Sequence, residues 1–303
     1  MISIIICSRK PDIPQELKEN IKEIIGVDFE LLVIDNSQNQ YSIFRAYNEQ
    51  AKRSKYPYLC FMHEDILFHT QDWGQKVVNY FEKDEKVGLL GVVGGHYAPR
   101  YPVPWWRSGL LSGQCLQGHY ETTRNKQYFT TLDRYFDFIQ DKPQIEVASV
   151  DGLWFCIKKE LFYNENRLCC IEFDEKTYPG FHCYDIDICF QVWNIGLKVI
   201  VVSDVLIEHK SHGHGDVQWR KNLLKFYFKW QDKLPLIAGI HLTPEEIKAT
   251  DEKISEYICS DIDNVFRIQE QLRNSKAYRL GSFMLKPLRL MKLLKSQINK
   301  NGK

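Results

Sequence analysis

The first hundred residues alternate between short apolar runs and longer segments in which apolar positions recur at helical spacing. The apolar runs are "ISIIIC" (2–7), "FELLVID" (29–35) and "YLCFM" (58–62). Between them lie "PQELKENIKEII" and "YSIFRAYNEQAKR", whose apolar residues recur every three or four positions. Strands buried on both faces and joined by helices are typical of βαβ units. We therefore predict an α/β fold with a mainly parallel sheet flanked by helices.

The rest of the chain adds further strands and then becomes helical. "VGLLGVVGG" (87–95) is followed by a long stretch rich in Gly, Pro and aromatic residues. "IEVASVDGLWFCIKKELF" predicts two strands joined by a turn at Asp151-Gly152, and "YDIDICFQVWNIG" predicts a helix. "LKVIVVSDVLIEHKSHGHG" predicts two more strands that lead into a His- and Gly-rich loop. From about residue 216 the pattern is helical, so we expect one α/β domain over 1–215 and a helical C-terminal region over 216–303.

Composition excludes several classes of protein. The chain has 303 residues, of which 44% are hydrophobic, and this is enough for a large core. Its 40 basic and 39 acidic residues give a net charge of +1, so no overall field favours a nucleic acid. The apolar run at the N-terminus is shorter than a signal segment or a membrane span. The nine cysteines, several within apolar runs (Cys7, Cys60, Cys156), favour reduced thiols and a cytoplasmic location.

Basic residues are concentrated at the C-terminus. After Glu270 the chain has nine Lys or Arg residues and no acid. Four of them, Lys286, Arg289, Lys292 and Lys295, alternate with Leu285, Leu288, Met291 and Leu294. Such a basic amphipathic segment either lies on an anionic membrane or docks on the domain or on a partner. We therefore expect a peripheral membrane contact through 276–303, with docking as the alternative.

Polar side chains follow each of the first three strands. The three clusters are Cys7-Ser8-Arg9, Asp35-Asn36-Ser37 and His63-Glu64-Asp65. Ligands of α/β sheets bind at the carboxyl ends of the strands. Along an extended segment His63 and Asp65 point to one side and Glu64 to the other. His63 and Asp65 are either half of a metal site or part of a solvated turn whose acids cap the next helix.

The order of the motifs resembles the GT-A-fold nucleotide-sugar glycosyltransferases of the large inverting family 2. In that family the corresponding blocks are "S-I-I-I-P", "E-I-I-V-V-D-D-x-S", "A-x-N-x-G" and "D-x-D". This chain has "SIIICSR", "LLVIDNS", "AYNEQ" and "HED" in the same order. Downstream, "YDIDICFQVWNIGLKV" is similar to "E-D-x-D-L-x-x-R-x-x-x-x-G-x-K", and "VLIEHKSHG" is similar to the closing "V-x-H-x-x-S/G". The matching elements cover about residues 1–215.

The resemblance implies a divalent cation, Mn²⁺ or Mg²⁺, that stabilises the charge on a departing nucleoside diphosphate. Asp65 occupies the position of the last DxD carboxylate and His209 ends "VLIEH", so both are expected as metal ligands. His63 replaces the first DxD carboxylate and is a ligand, a hydrogen-bond donor or neither. A rival interpretation of His209, His212 and His214 is a zinc site.

The resemblance also implies the base and the donor-binding residues. Asp185 occupies the aspartate position of the Glu-Asp pair and is expected to be the general base, whereas Asp187 is expected to brace the start of the helix. The residues expected to contact the base, ribose, diphosphate or sugar of the donor are Ser8, Arg9, Asp35, Ser37, Asn48, His63, Glu64, Asp151 and Gly152. Trp105, Trp106 and Trp154 are either core residues or a platform for a sugar ring.

Two positions depart from the family pattern in the later motif. Tyr184 stands in place of the usual Glu, and Gln191 in place of the usual Arg. "DVQWRKN" differs from the Gln-x-x-Arg-Trp motif of processive synthases, which favours transfer of a single sugar. The expected function is metal-dependent, inverting transfer from a nucleotide-sugar, with UDP as nucleotide, to a saccharide or lipid-linked saccharide acceptor in surface-glycan assembly. The alternatives are a noncatalytic nucleotide- or carbohydrate-binding protein on this fold and a zinc-dependent hydrolase.

Overall fold

Fifteen strands and six α-helices make up the part of the chain that this computed structural model describes, residues 1–117, 143–162, 171–211 and 215–275. The strands are β1 (Ile2–Ser8), β2 (Phe29–Asp35), β3 (Tyr58–Met62), β4 (Ile66–Phe68), β5 (Val87–Gly91), β6 (Val93–Gly95), β7 (Tyr97–Ala98), β8 (Leu111–Gly113), β9 (Leu116–Gln117), β10 (Gln144–Glu146), β11 (Ser149–Val150), β12 (Trp154–Lys158), β13 (Lys198–Val202), β14 (Ile207–His209) and β15 (Leu236–Ile237). The helices are α1 (Gln15–Ile24), α2 (Ile43–Arg53), α3 (Trp73–Lys83), α4 (Tyr184–Asn194), α5 (Val217–Trp230) and α6 (Pro244–Asn274). Three short 3₁₀ helices cover Trp105–Ser108, Lys159–Leu161 and Gln231–Lys233.

A seven-stranded sheet with the order β10-β13-β5-β12-β3-β1-β2 forms the centre of the fold. β2, β1, β3, β5 and β13 run in one direction, while β12 and β10 run in the other. The predicted α/β class and mainly parallel sheet are confirmed. The two antiparallel strands make the sheet mixed, because β12 inserts between β3 and β5, which are separated in the chain by α3.

The central strands are apolar on both faces, as is typical of a parallel sheet that helices cover on both sides. Ile4, Ile5 and Ile6 of β1 are successive residues, and all three are fully buried. Each such side chain contributes about 1.5–3 kcal/mol relative to exposure. The helices are apolar on one face only, and α1, for example, buries Leu17 and Ile21. Helices therefore cover the sheet with one face each and keep their polar residues in water.

The cysteine prediction is wrong for one pair. Cys60 of β3 and Cys156 of β12 face each other in the antiparallel ladder, and the structure joins them as a disulfide. Cys7, Cys115, Cys183, Cys189 and Cys259 are free thiols. The cytoplasmic location stays a prediction.

Three smaller sheets lie beside the central one, and one of them shapes the site. β14 pairs with β4 in antiparallel register, so that His209 lies opposite Ile66. The backbone N–H of Lys210 donates to the carbonyl of Asp65 across the same ladder, at 2.9 Å. This pairing brings the end of β14 to the polar residues that follow β3.

The C-terminal part of the described chain is helical, as expected. Asp216 caps the start of α5, because its carboxylate accepts from the N–H of Trp219, and Thr243 and Glu246 form a reciprocal cap at the start of α6. The chain divides into two compact units, 1–247 and 248–303. The functional boundary expected at residue 215 stays a prediction. Within the described ranges, none of the helices has an apolar stretch long enough to cross a membrane.

Candidate active site

Three side chains with metal-binding atoms converge where β3 ends. His63 and Asp65 follow β3, and His209 reaches them from the end of β14. Nδ1 of His63 lies 3.4 Å from Nε2 of His209 and 3.9 Å from Oδ1 of Asp65, and Oδ1 of Asp65 lies 3.5 Å from Nε2 of His209. These three atoms form a nearly equilateral triangle of possible ligands.

The spacing and chemistry of this triangle fit a divalent cation. Two ligand atoms that each lie about 2.1 Å from a cation are about 3.0–3.6 Å apart when they subtend 90–120° at it. The observed separations of 3.4–3.9 Å need only a small contraction. The expectation that His63 and Asp65 share a side is confirmed. Glu64 instead points to Ser8 and Arg9.

Electrostatics place two members of the cluster in their metal-binding forms. Burial and the neighbouring His209 lower the pKa of His63 to about 4, so its imidazole is neutral near pH 7. Burial by itself would raise the pKa of Asp65. Hydrogen bonds from His209 and Ser211, with the nearby His63, outweigh that effect and hold this pKa well below its usual range. Asp65 is therefore a carboxylate, and His63 has a free nitrogen lone pair.

Tyr184 connects the cluster to the Asp151-Gly152 turn. Its hydroxyl lies 2.9 Å from Nε2 of His63 and donates to the carbonyl of Gly152 at 3.0 Å. Burial raises the pKa of Tyr184 well above its ordinary value, so the hydroxyl keeps its proton. Gly152 has to be glycine, because a Cβ there would lie 2.7 Å from Cζ of Tyr184. The turn and the first residue of α4 are thus packed directly against each other.

Asp185 is adjacent to Tyr184 and binds the same glycine. Its Oδ2 accepts from the N–H of Gly152 at 3.1 Å. Burial, followed by the nearby charge of Asp151, raises the pKa of Asp185 to about 7, although backbone N–H groups partly oppose the rise. A carboxylate with a pKa near neutrality is suited to accept a proton from a hydroxyl group.

The other strand ends lie at the same edge of the sheet. β1 and β2 end in register, with Ser8 opposite Asp35. Ser8 is buried and its hydroxyl donates to Glu64, which ties the end of β1 to the residues after β3. Asp35 is exposed, and its Oδ1 accepts from the N–H of Ser37 at 2.9 Å. The polar clusters predicted at one edge are therefore brought together.

The family follows from the match between the chain and a family model. Residues 3–219 match the model described as "Glycosyltransferase like family", which is well over half of the chain. The chain belongs to this family. The resemblance that the motifs indicated is therefore confirmed. No curated protein matches the chain.

The solved structures that match this family member show only weak likeness to it. A197 from STIV has 15% identity and a TM-score of 0.35, over 70% of this chain and 86% of that one. The mannosyltransferase PcManGT from Pyrobaculum calidifontis, solved with GDP-Man and Mn²⁺, has 11% identity and a TM-score of 0.42. The match covers 93% of this chain and 83% of that one. GalNAc-T7, solved with UDP, GalNAc and Mn²⁺, has 13% identity and a TM-score of 0.44. The match covers 77% of this chain and 49% of that one.

Asp187 has a structural role in this glycosyltransferase-family chain, but its contacts differ from the expected bracing of the helix start. The side chain is 1% exposed. It accepts from four side chains, namely the Tyr178 hydroxyl at 3.0 Å, the Trp230 indole N–H at 2.8 Å, the Gln191 amide at 2.8 Å and the Lys229 ammonium at 2.9 Å. These contacts fasten α4 to α5 rather than capping α4. Gln191, which replaces the family's Arg, belongs to this structural network.

The amide of Asn48 binds the backbone of Phe173. Its amide donates to the carbonyl of Phe173 at 2.8 Å and accepts from the N–H of the same residue at 2.9 Å. Both ends of the amide are therefore used to hold the backbone at Phe173. That Asn48 contacts the nucleotide stays a prediction.

The tryptophans divide between core and surface. Trp154 is fully buried and Trp105 is 9% exposed, so both are core residues. Trp106 is 43% exposed and stacks on Trp219, with ring centroids 6.0 Å apart. His212, His214 and the tail 276–303 lie outside the described residues, so the zinc and membrane interpretations that depend on them stay predictions.

Sequence reasoning missed the part that Tyr184 plays. In the sequence this residue stands out only as a departure from the family's Glu. His63 is also a departure, and its ring lies within hydrogen-bonding distance of the Tyr184 hydroxyl. Two departures from the family pattern, His63 and Tyr184, were the signal available in the sequence.

Proposed function

We propose that the protein is a metal-dependent, inverting glycosyltransferase. It transfers one sugar from a nucleotide-sugar, with UDP as the nucleotide, to a saccharide or lipid-linked saccharide acceptor. This transfer belongs to the assembly of surface polysaccharide or another glycan. The proposal extends the family membership over residues 3–219 by giving roles to particular side chains.

The observation that carries the proposal is a path of hydrogen bonds between the metal-binding triangle and a carboxylate base. The path runs from His63 to the Tyr184 hydroxyl, from there to Gly152, and from the N–H of Gly152 to Asp185. Sugar transfer from a nucleotide needs positive charge at the diphosphate and a base at the acceptor hydroxyl. The path supports a single site that holds both.

Asp65 and His209 would hold the cation, with His63 beside them. A bound Mn²⁺ or Mg²⁺ would supply positive charge that stabilises the diphosphate as it leaves. Two imidazoles in the cluster favour Mn²⁺, because Mg²⁺ prefers oxygen ligands. The ionised Asp65 and the neutral His63 are the protonation states that cation binding requires.

Asp185 would accept the proton of the acceptor hydroxyl. The acceptor oxygen bonds to the anomeric carbon while the bond from that carbon to the diphosphate oxygen breaks, so one displacement inverts the configuration. The proton passes to Asp185, whose pKa of about 7 lets it accept a proton near neutral pH. The N–H of Gly152 keeps the carboxylate oriented throughout.

The strand ends would bind the nucleotide. Asp35 and Ser37 are accessible at the end of β2, and a carboxylate there can accept from uracil N3–H or from a ribose hydroxyl. Arg9 is 80% exposed and its charge lies beside Glu64. We assign Ser8 and Glu64 to positioning this edge, because they bind each other.

The acceptor would stack on Trp106. This indole is the exposed member of a stacked pair with Trp219, and the C–H face of a sugar packs well on such a ring. Asp216, three residues before Trp219, lies 3.3 Å from His182, which closely precedes α4 and Asp185. The platform is therefore connected to the start of the helix that carries the base.

The metal role is tested by the stabilisation that UDP gives to the purified protein. UDP at 100 times its Kd should raise the unfolding free energy by about 2.7 kcal/mol, and we expect this in Mn²⁺ but much less in EDTA. Asp65→Asn should abolish the difference between the two buffers. Glu208→Gln is the matched control, because it also removes a neighbouring charge, yet Glu208 points to His69 at 2.9 Å. Equal stabilisation in both buffers would refute the metal role.

The transferase role is tested by release of UDP from a panel of UDP-sugars. Mn²⁺-dependent binding of UDP without release from any donor, with or without oligosaccharide acceptors, would favour the noncatalytic binding protein. The same panel with GDP-sugars tests the choice of nucleotide. Contact of 276–303 with a membrane and a cytoplasmic location remain part of this proposal and are open to direct measurement.

A further inference from the structure

We infer that His63 is a third ligand of the cation through Nδ1, and that Tyr184 is the positioning residue that keeps this nitrogen free of a proton. The inference rests on the proposed metal-dependent function, since it concerns the same cluster. It adds a ligand whose role the motifs left open, and it gives a reason for the tyrosine at the start of α4.

The hydroxyl of Tyr184 has one proton to give and two neighbours. The carbonyl of Gly152, at 3.0 Å, can only accept. If the proton pointed to His63 instead, two oxygen atoms with lone pairs would face each other in a buried place, which is costly. The proton therefore goes to Gly152, and the Tyr184 oxygen accepts from Nε2–H of His63 at 2.9 Å.

This arrangement decides which ring nitrogen of His63 is available. A neutral imidazole carries one proton, so a proton on Nε2 leaves a lone pair on Nδ1. Nδ1 is the atom that faces His209 at 3.4 Å and Asp65 at 3.9 Å. The other tautomer would place a proton at the centre of the triangle, where a cation would repel it.

Tyr184 is held firmly enough to act in this way. The residue is 6% exposed, and its ring contacts Tyr47 at a centroid distance of 5.7 Å and Phe44 at 6.4 Å. Gly152 has no side chain, so the ring reaches its backbone. A hydrogen-bond acceptor behind a ligating histidine fixes both its tautomer and its orientation, and loss of such a partner typically weakens metal affinity about 10–100-fold.

The first experiment measures Mn²⁺ affinity of the full chain without any sugar donor. Tyr184→Phe keeps the ring and removes only the hydroxyl, and we expect it to weaken Mn²⁺ binding by about 10–100-fold. The matched control is Tyr178→Phe, which also removes a buried hydroxyl close to Phe44 but one that donates to Asp187. A loss of less than about fivefold in Tyr184→Phe, or an equal loss in both variants, would overturn the inference.

A double-mutant cycle separates this role from general support of the fold. If Tyr184 acts through His63, the variant with both Tyr184→Phe and His63→Ala should bind Mn²⁺ no more weakly than His63→Ala alone. Independent, additive losses would contradict the assignment.

The tautomer can also be observed directly in the wild-type protein. The ¹⁵N shifts of His63 in metal-free protein at pH 7.5 should show Nε2 protonated and Nδ1 unprotonated, even if Tyr184→Phe does not fold. A proton on Nδ1, or an equal mixture of tautomers, would overturn the inference. Because neither metal affinity nor tautomer depends on sugar transfer, an inactive protein with these properties would refute the proposed function and leave the ligand assignment standing.

Discussion

The substitution Asp185→Asn tests the assignment of the general base most directly. It preserves the size of the side chain, and the amide oxygen can still accept from the N–H of Gly152, which lies 3.1 Å from Oδ2 in the wild type. It removes the ability to take a proton. We therefore expect the rate of transfer to fall by about 10²–10⁴, which is about 3–5 kcal/mol of transition-state stabilisation. Donor affinity should change little, because Asp185 is not one of the metal-binding triangle.

If Asp185 is the base, the rate of transfer should increase with pH. With a pKa of about 7, the Asp185 carboxyl is protonated at low pH and inactive as a base. Its charged fraction is about one-tenth at pH 6 and about nine-tenths at pH 8. Transfer by the wild type should therefore rise through pH 7 and level off above it. The residual activity of Asp185→Asn should lack that rise.

Stability should move in the opposite direction from activity. The pKa of Asp185 is raised from 3.8 to about 7 in the fold, so its contribution to stability is present below pH 4 and is lost as pH rises through 7. A shift of this size is at most about 4 kcal/mol, and partial exposure of the side chain reduces it to about 1–3 kcal/mol. Asp185→Asn should be more stable than the wild type by this amount at pH 8 and equally stable near pH 4.

The assays are transfer at saturating donor, UDP affinity in Mn²⁺ and urea unfolding at both pH values. Asp187→Asn is the control on the same helix. Because Asp187 is buried and accepts from Lys229 and three other side chains, we expect a loss of about 2–4 kcal/mol of stability with transfer by the folded fraction retained. If Asp185→Asn keeps normal transfer while folded Asp187→Asn loses it, the base has been assigned to the wrong carboxylate.

Two further predictions concern the turn and the aromatic platform. Gly152→Ala would place a Cβ 2.7 Å from Cζ of the buried Tyr184 ring, so the unfolding free energy should fall by about 1–3 kcal/mol and Mn²⁺ binding should weaken, as urea unfolding and metal titration can measure. Normal values of both would contradict the close packing. Trp106→Ala should raise the acceptor KM at least about tenfold with the donor KM unchanged, whereas Trp105→Ala should mainly lower stability, because Trp105 is 9% exposed. An unchanged acceptor KM in steady-state kinetics would rule out the platform.

Much of the fold could be predicted because its signals are local. The apolar runs of β1, β2 and β3 and the spacing in α1 and α2 predicted those elements to within two residues. The position of β12 between β3 and β5 could not be predicted in this way. It depends on pairing between segments about 65–100 residues apart, which no local pattern records.

In the candidate site, too, the features that depend on adjacent residues could be predicted, and the contacts between distant segments could not. Alternation along an extended segment predicted that His63 and Asp65 share a side and that Glu64 does not, since this depends on adjacent residues alone. Asn48 binds Phe173, and Asp187 accepts from Lys229 and Trp230 of α5; these contacts could not be predicted, because they join segments far apart in the chain. A polar residue within a motif is therefore easier to place on a side than to assign to a partner.

His63 and Tyr184, which both replace an acid of the family pattern, contact each other and are best understood as a pair. With an acid at each of positions 63 and 184, two negative charges would lie within hydrogen-bonding distance, close to the Asp151-Gly152 turn. His63 and Tyr184 replace them by a neutral pair joined by one hydrogen bond. Burial and the nearby charge of Asp151 already raise the pKa of Asp185 to about 7, and a neutral tyrosine at position 184 adds no second negative charge beside it. The neutral pair therefore leaves Asp65 to carry the negative charge of the triangle and adds no charge next to Asp185.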